Sequence, residues 1–347
     1  MAVSSDTLKI LPGIDPAIDH VAAAAVPSSS FLTRAWFAAA AGKADCRTIV
    51  QKNAAGEPVI ALPIGRSGRL LRQVPGSYWP FRSFPVAQSA TVADMAALLR
   101  APAARQALGR IWRLGPIFEN DPALLLLRQA AARSGWMVVD RQIAISYLLD
   151  LKAHAAEGWP RESSVKKNRS REKGLAREGE VVLQSVRGGD WTPAVFADLA
   201  AIEAKSWQGE SSDPKFMPGP HAGVWQALAA DPVFAERMHA KILYVNGAPI
   251  SFIFDLDAGS FMYGIANSYD PAFHRHSPSR YLFFHDLVDA IGRGMEAVDF
   301  GAGDDGYKQS MGANPASRIV DCVVMRKGWQ LPLSLVAGKL WQRSGQG

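Results

Sequence analysis

A chain of 347 residues, 48% hydrophobic and 20% charged, holds enough apolar material for two packed cores and is not a disordered polymer. Two cysteines exclude a disulfide scaffold, no apolar run is long enough to span a bilayer, and no basic-then-apolar leader opens the chain, so a cytoplasmic protein is expected. The net charge of +6 is local: seven cations between Arg161 and Glu178 stand against three carboxylates, which reads either as a solvated face or as a contact for an anionic partner.

The first thirty residues are rich in Ala, Pro and Ser and are expected to be partly loose. Residues 31–41 read as an amphipathic helix stopped by Gly42. Strand-like runs at 46–51, 58–64 and 69–74 form a meander, followed by an aromatic, Pro-rich loop at 75–81. A helix at 92–108, a strand at 110–114, a helix at 122–133 and strands at 136–140 and 143–151 complete the first half. The second half repeats this order. It has a strand at 181–186, a helix at 193–207, helical stretches at 221–230 and 233–240, and a meander at 241–245, 249–255 and 260–265. A loop over 266–278 leads to a helix at 279–293, a strand at 297–300, a Gly/Asp loop, a short helix near 307–311 and a strand at 318–325. The expected domains are 1–152 and 153–347. A meander feeding a helix and a further strand predicts an α/β fold, with mixed sheets flanked by helices.

Several groups of residues carry chemistry. The turn into helix 279–293 combines a helix N-terminus with Ser277, Ser279, Arg275 and Arg280, which suits an anion. Asp299, Asp304 and Asp305 crowd the end of a strand, where open α/β sheets bind ligands. Asp304 is the candidate for taking a proton from an attacking group or contacting the acceptor, and Asp299 for contacting substrate, while turn chemistry explains such residues equally well. Lys308 offers a positive charge for an oxyanion or a phosphate. Tyr78, Trp79, Phe81 and Phe84 either line an acceptor pocket or simply pack. The spacing Gly301-x-Gly303-x-x-Gly306 imitates a dinucleotide loop, but too little chain follows it for such a fold. His274-Arg275-His276 has no further ligands at metal spacing, so no metal is expected. From residue 329 to 346 apolar and basic residues alternate; this tail either docks on the core or touches a membrane surface peripherally.

The runs Asp270-Pro271-Ala272-Phe273, Ser277-Pro278-Ser279-Arg280 and Asp299-Phe300-Gly301-Ala302-Gly303-Asp304-Asp305-Gly306-Tyr307-Lys308 resemble those of the GNAT acyltransferases, in the bacterial CelD-like branch related to Fem-type aminoacyl ligases. The basic stretch and Trp207, closing helix 193–207, also fit that pattern, while Ser279 stands where the branch has Gly. The resemblance covers residues 160–325 by motif and the first half by element order. It implies two tandem GNAT-like halves, each a mixed, mostly antiparallel sheet flanked by helices. It further implies acyl-CoA or acetyl-CoA as co-substrate, its pyrophosphate at Ser277, Ser279 and Arg280, with direct transfer of the acyl group to a small or lipid-like primary amine. Tyr307 would protonate the departing thiolate, and Tyr78, Trp79, Trp207 and Asp299 would contact substrate. The alternatives are an aminoacyl-tRNA donor, held by the basic stretch, and a binding module without catalysis. No RNA-binding signature accompanies the basic residues, which disfavours nucleic acid.

Overall fold

The computed structural model describes residues 7–42, 44–67, 71–76, 81–206, 209, 214–219, 221–303 and 306–327. These fall into two units, one of residues up to Ser146 together with those from Pro315 onward, the other Tyr147–Asn314.

The first unit begins with β1 (Leu8–Pro12), which pairs antiparallel with β2 (Cys46–Lys52), and with α1 (Ala17–Ala23), whose Ile18, Val21 and Ala22 are fully buried. The segment expected to be loose therefore supplies an edge strand and part of the core. Its three buried residues fall at helical spacing, which the surrounding alanines obscure. After α2 (Arg34–Ala41), the meander continues through β3 (Pro58–Ser67) and β4 (Leu71–Gln73). The helix expected over 92–108 is two, α3 (Val92–Arg100) and α4 (Pro102–Leu108). Thr91 and Asp94 form a capping box at its start, and Pro102 forces Ala101 into extended backbone at the break. Next come β5 (Ile111–Phe118), parallel to β4, then α5 (Pro122–Ala131) and the long β6 (Trp136–Asp150). Phe81 packs edge-on against Phe31 and Trp36, at 5.0 and 6.1 Å between ring centres.

The second unit takes the end of β6 and adds α6 (Leu151–Ala156), α7 (Glu162–Leu175), β7 (Val181–Arg187), α8 (Pro193–Lys205), α9 (Ala222–Ala229) and α10 (Pro232–Ala235). The antiparallel strands β8 (Met238–Val245), β9 (Ala248–Ala258) and β10 (Phe261–Tyr269) follow β7 in order across the sheet. Then α11 (Pro278–Gly292) crosses to β11 (Ala297–Ala302), parallel to β10. Each unit is thus a meander closed by one parallel pair, the tandem mixed-sheet arrangement expected. Phe216, Phe252, Phe254, Trp191 and Trp225 pack together beside β9; Ile253, Met262, Leu282, Leu287 and Val298 belong to the core cluster that includes α11. No helix among the described residues is long and apolar enough to cross a membrane.

The strand expected at 318–325 in the second half is β12 (Asn314–Arg326), and its register is with β5 of the first unit. A bulge between Val320 and Cys322 turns Asp321 into a fully buried position. Its carboxylate accepts two hydrogen bonds from Arg113, both 2.8 Å, and one from Arg141 at 3.1 Å. Gly115 lets the bulge approach. It sits at φ +110°, and a Cβ there would lie 3.0 Å from the Val320 carbonyl oxygen. Removing one member of a buried ion cluster leaves the others uncompensated, so Asp321→Ala should destabilise the protein by about 3–5 kcal/mol. Urea unfolding with an unshifted midpoint would contradict this.

Candidate active site

β10 and β11 share register over three residues only, Phe261–Tyr263 against Ala297–Asp299. β10 then runs on to Tyr269 beside β9, with a bulge between Gly264 and Ala266. A bulge bends its strand and adds twist. Here it accompanies the parting of β10 from β11, a gap at the C-terminal ends of parallel strands, where open sheets take ligands. The chain beyond Tyr269 is drawn into a 3-10 helix over Pro271–His276, started by Asp270 accepting the Ala272 N–H. Ser277 then turns through the left-handed region at φ 51°, a strained conformation for a side chain with a Cβ, and Pro278 opens α11.

A cavity of about 580 Å3 lies here, lined by Asn267 and Tyr269 of β10, by His274, by Ser277, Pro278, Ser279, Arg280 and Phe283 around the start of α11, and by Tyr307. Four residues singled out in the sequence, Ser277, Ser279, Arg280 and Tyr307, therefore share one wall. Ser279 stands inside the helix, so the glycine of related chains is not needed for its backbone conformation. Its Oγ is buried with no hydrogen-bond partner among the described residues. The first-turn N–H groups have no carbonyl a turn back within the helix, and the helix dipole places positive charge at the same point. Arg275 is committed to Glu178, which holds that carboxyl below its ordinary range with help from His276. Arg280 is exposed at the cavity and reaches the Ser310 hydroxyl at 3.5 Å. Tyr307 stacks on Phe283, with ring centres 5.5 Å apart, and its hydroxyl accepts from Asn267 Nδ2 at 3.3 Å.

Lys308 and Asp299 are not among the described residues lining the cavity. Lys308 is 3% exposed and its ammonium donates to the carbonyls of Gly301 and Ala302, at 3.3 and 2.8 Å. Asp299 is buried and accepts the Gly301 N–H at 2.7 Å. Both tie down the end of β11, from which the chain continues to Tyr307. Asp304, Tyr78, Trp79, Trp207 and the tail over 329–346 lie outside the described residues. Phe81 and Phe84 are buried in the first unit. Asn267 and Tyr269 lie beyond Ile265, where the sequence pattern ends the strand, and His274 stands in the run weighed there only for a metal. The extension of β10 follows a bulge, which interrupts alternation. Among the described residues, no group of three or more ligating side chains could hold a metal ion.

Beneath α11 the interior is ionisable. Lys241 donates to Asp289 at 2.9 Å and Ser185 at 3.2 Å; Arg293 donates to Asp289 at 3.0 Å; His239 Nε2 lies 2.8 Å from Asp257. Asp255 Oδ2 is buried with no partner among the described residues. Burial, then the charges of Asp286 and Asp257, pushes Asp255 well above the carboxylate range. Burial likewise lifts Asp286 to about 7, against the pull of Lys241 and Arg293.

Residues 163–309 match the Acetyltransferase (GNAT) domain family. That span holds the cavity wall from Asn267 to Tyr307, so the second unit carries a GNAT-like domain of acyltransferase type. No curated protein matches the chain. Among solved structures the chain resembles FemX, at 12% identity and a TM-score of 0.62, over 95% of this chain and 100% of that one. It also resembles a tandem GNAT protein from the clavulanic acid biosynthesis pathway, at 13% identity and a TM-score of 0.51, over 91% and 98% of the two chains. L-PGS from Bacillus licheniformis is similar at 14% identity and a TM-score of 0.52, over 97% and 99%. At these identities the likeness is one of fold.

The buried acids of this GNAT domain make its stability depend on pH. Below the ordinary Asp value of 3.8, folded and unfolded chains both hold the Asp286 proton. From there to about 7 the folded chain keeps a proton that the unfolded chain has released, so stability falls as pH rises, by about 1.4 kcal/mol per pH unit for each such group. Asp286→Asn should flatten the decline between pH 4.5 and 7 and raise the urea midpoint at pH 8. A pH profile identical to that of the unaltered protein would show that Asp286 titrates normally.

Proposed function

We propose that the second unit is a cytoplasmic N-acyltransferase that moves an acyl group directly from an acyl-CoA thioester to a primary amine. The observation that supports this reading is that one cavity joins the opening turn of α11 to Tyr307. An anion binder and a phenol within one cavity suit a donor that is a phosphate ester at one end and a thioester at the other. The CelD-like run from Asp270 to Lys308 belongs to the same proposal.

In this reading the pyrophosphate sits on the first N–H groups of α11, with Ser279 Oγ and Arg280 as side-chain donors. The thioester arm follows the gap between β10 and β11. The amine nitrogen attacks the thioester carbonyl carbon, giving a tetrahedral oxyanion. Collapse of that intermediate breaks the carbon–sulfur bond, and Tyr307 gives its proton to the departing thiolate. Asn267, donating to the phenol oxygen, stabilises the phenolate that forms. Asp304 is the proposed acceptor of the amine proton. Lys308 and Asp299 act here through the backbone, by holding the end of β11.

The test is CoA release from a panel of acyl-CoAs, with amino acids, amino sugars and long-chain amines as acceptors. Tyr307→Phe should lower kcat by about 10²–10⁴ with little change in acyl-CoA affinity. Arg280→Ala should weaken acyl-CoA binding by about ten- to a hundredfold, the worth of one charge-assisted contact. Turnover by Tyr307→Phe at the full rate would remove the phenol from the mechanism, and absence of any acyl-CoA binding would remove the donor.

A further inference from the structure

The basic helix α7 is docked along the start of α11, and its register there is regular. Asn168 Nδ2 lies 3.0 Å from His285 Nε2. Two turns later Gly174 packs against His276 so closely that a Cβ would lie 2.9 Å from its Nδ1. Beyond the helix, Glu178 closes the series on Arg275 and His276. Arg171 falls between these anchors, one turn from each, and so faces the stretch of α11 that begins with Arg280.

Arg171 is partly buried and has no carboxylate partner among the described residues. Burial, and then the charge of Arg280, lowers its pKa. Two guanidiniums brought together repel, and the repulsion is larger where water is partly excluded. Arg280 stands on the cavity rim, and no carboxylate occurs among the described residues lining that cavity. The opening turn of α11 adds more positive charge beside it. By contrast, Lys166, Lys167, Arg169, Lys173 and Arg177 are exposed, where solvent screens them.

We propose that Arg171 and Arg280 together clamp a phosphate monoester of the donor at the cavity rim, which makes α7 part of the donor site. This rests on the acyl-CoA reading above, in which the ligand is the ribose 3′-phosphate of CoA. A monoester carries close to two negative charges at neutral pH and three acceptor oxygens, which matches two guanidinium forks. The diphosphate stays on the N–H groups of α11 and Ser279 Oγ, with Arg280 placed between it and the monoester, so that Arg171 is the donor that only the monoester uses.

Calorimetry with CoA, 3′-dephospho-CoA and a short RNA duplex tests this on the full-length protein. CoA should bind at least tenfold more tightly than 3′-dephospho-CoA. Arg171→Gln should bring that ratio close to one, whereas Lys166→Gln with Lys173→Gln should preserve it. Arg171→Lys, which keeps the charge but loses the fork, should retain part of the ratio and guards against a folding defect in the glutamine variant. Equal binding of the two nucleotides by the unaltered protein would overturn the clamp while leaving the donor reading intact. A ratio that survives in Arg171→Gln would do the same. Binding of neither nucleotide would remove the donor reading and the clamp together. Tight RNA binding lost in the Lys166 and Lys173 variant would replace the monoester by a phosphodiester backbone.

Discussion

The parting of β10 from β11 is the constraint on which the second unit depends. Parallel strands are stable when their N–H and C=O groups are paired along their length, and here that pairing stops after Tyr263 and Asp299. The bulge at Gly264 and Ala266 keeps β10 bonded to β9 while β10 leaves β11. Everything with chemical character is placed by that divergence. Asn267 and Tyr269 come from the strand that continues, Tyr307 comes from the chain beyond the strand that ends, and α11 begins beside the gap.

A wedge in a sheet needs rigid walls. On the α11 side the walls are held partly by charge, with Lys241 and Arg293 meeting at Asp289 across the interface between helix and strands. The Oδ2 of Asp255, buried with no partner among the described residues, shows that this layer is not optimised for apolar packing. At the other end of the wedge Lys308 crosslinks the carbonyls of Gly301 and Ala302, and Asp299 holds the Gly301 N–H. Those two residues are polar and buried because an irregular strand end has backbone groups that must be bonded.

The first unit has the same parallel pair, β4 beside β5, sharing register over Arg72 and Gln73. There the chain itself occupies the neighbouring ground. Phe81 bridges to Ile117, Arg82 exchanges backbone bonds with Gly115 and Pro116, and Val86 bridges to Ile60. With Phe81 and Phe84 buried, these residues complete a core. The same element order thus gives a ligand-sized cavity in one unit, and in the other the described residues at the corresponding pair pack into a core.

Most of the order of elements was legible in the sequence, because hydrophobic alternation, Asn246-Gly247 and the helix caps are local signals; β1 and α1 were not, and the helix expected over 233–240 gives way to β8 at Met238. The turn into α11 was legible too, since Ser277, Ser279 and Arg280 stand next to one another, and the resemblance of residues 160–325 pointed to the same turn; the structure brings these three residues to one cavity. Partnership was not legible. Period-two alternation in residues 318–325 says strand, but only the folded sheet assigns that strand to β5 and buries Asp321 between two arginines. Lys308 looked like a free cation beside Tyr307, and its commitment to two carbonyls depends on where β11 ends. Arg171 and Arg280 are more than a hundred residues apart, and the basic stretch reads equally as a solvated face and as an anion contact until α7 is laid along α11. Local chemistry follows from neighbours in the chain, whereas desolvation and pairing follow from neighbours in space, and those the tertiary structure alone decided.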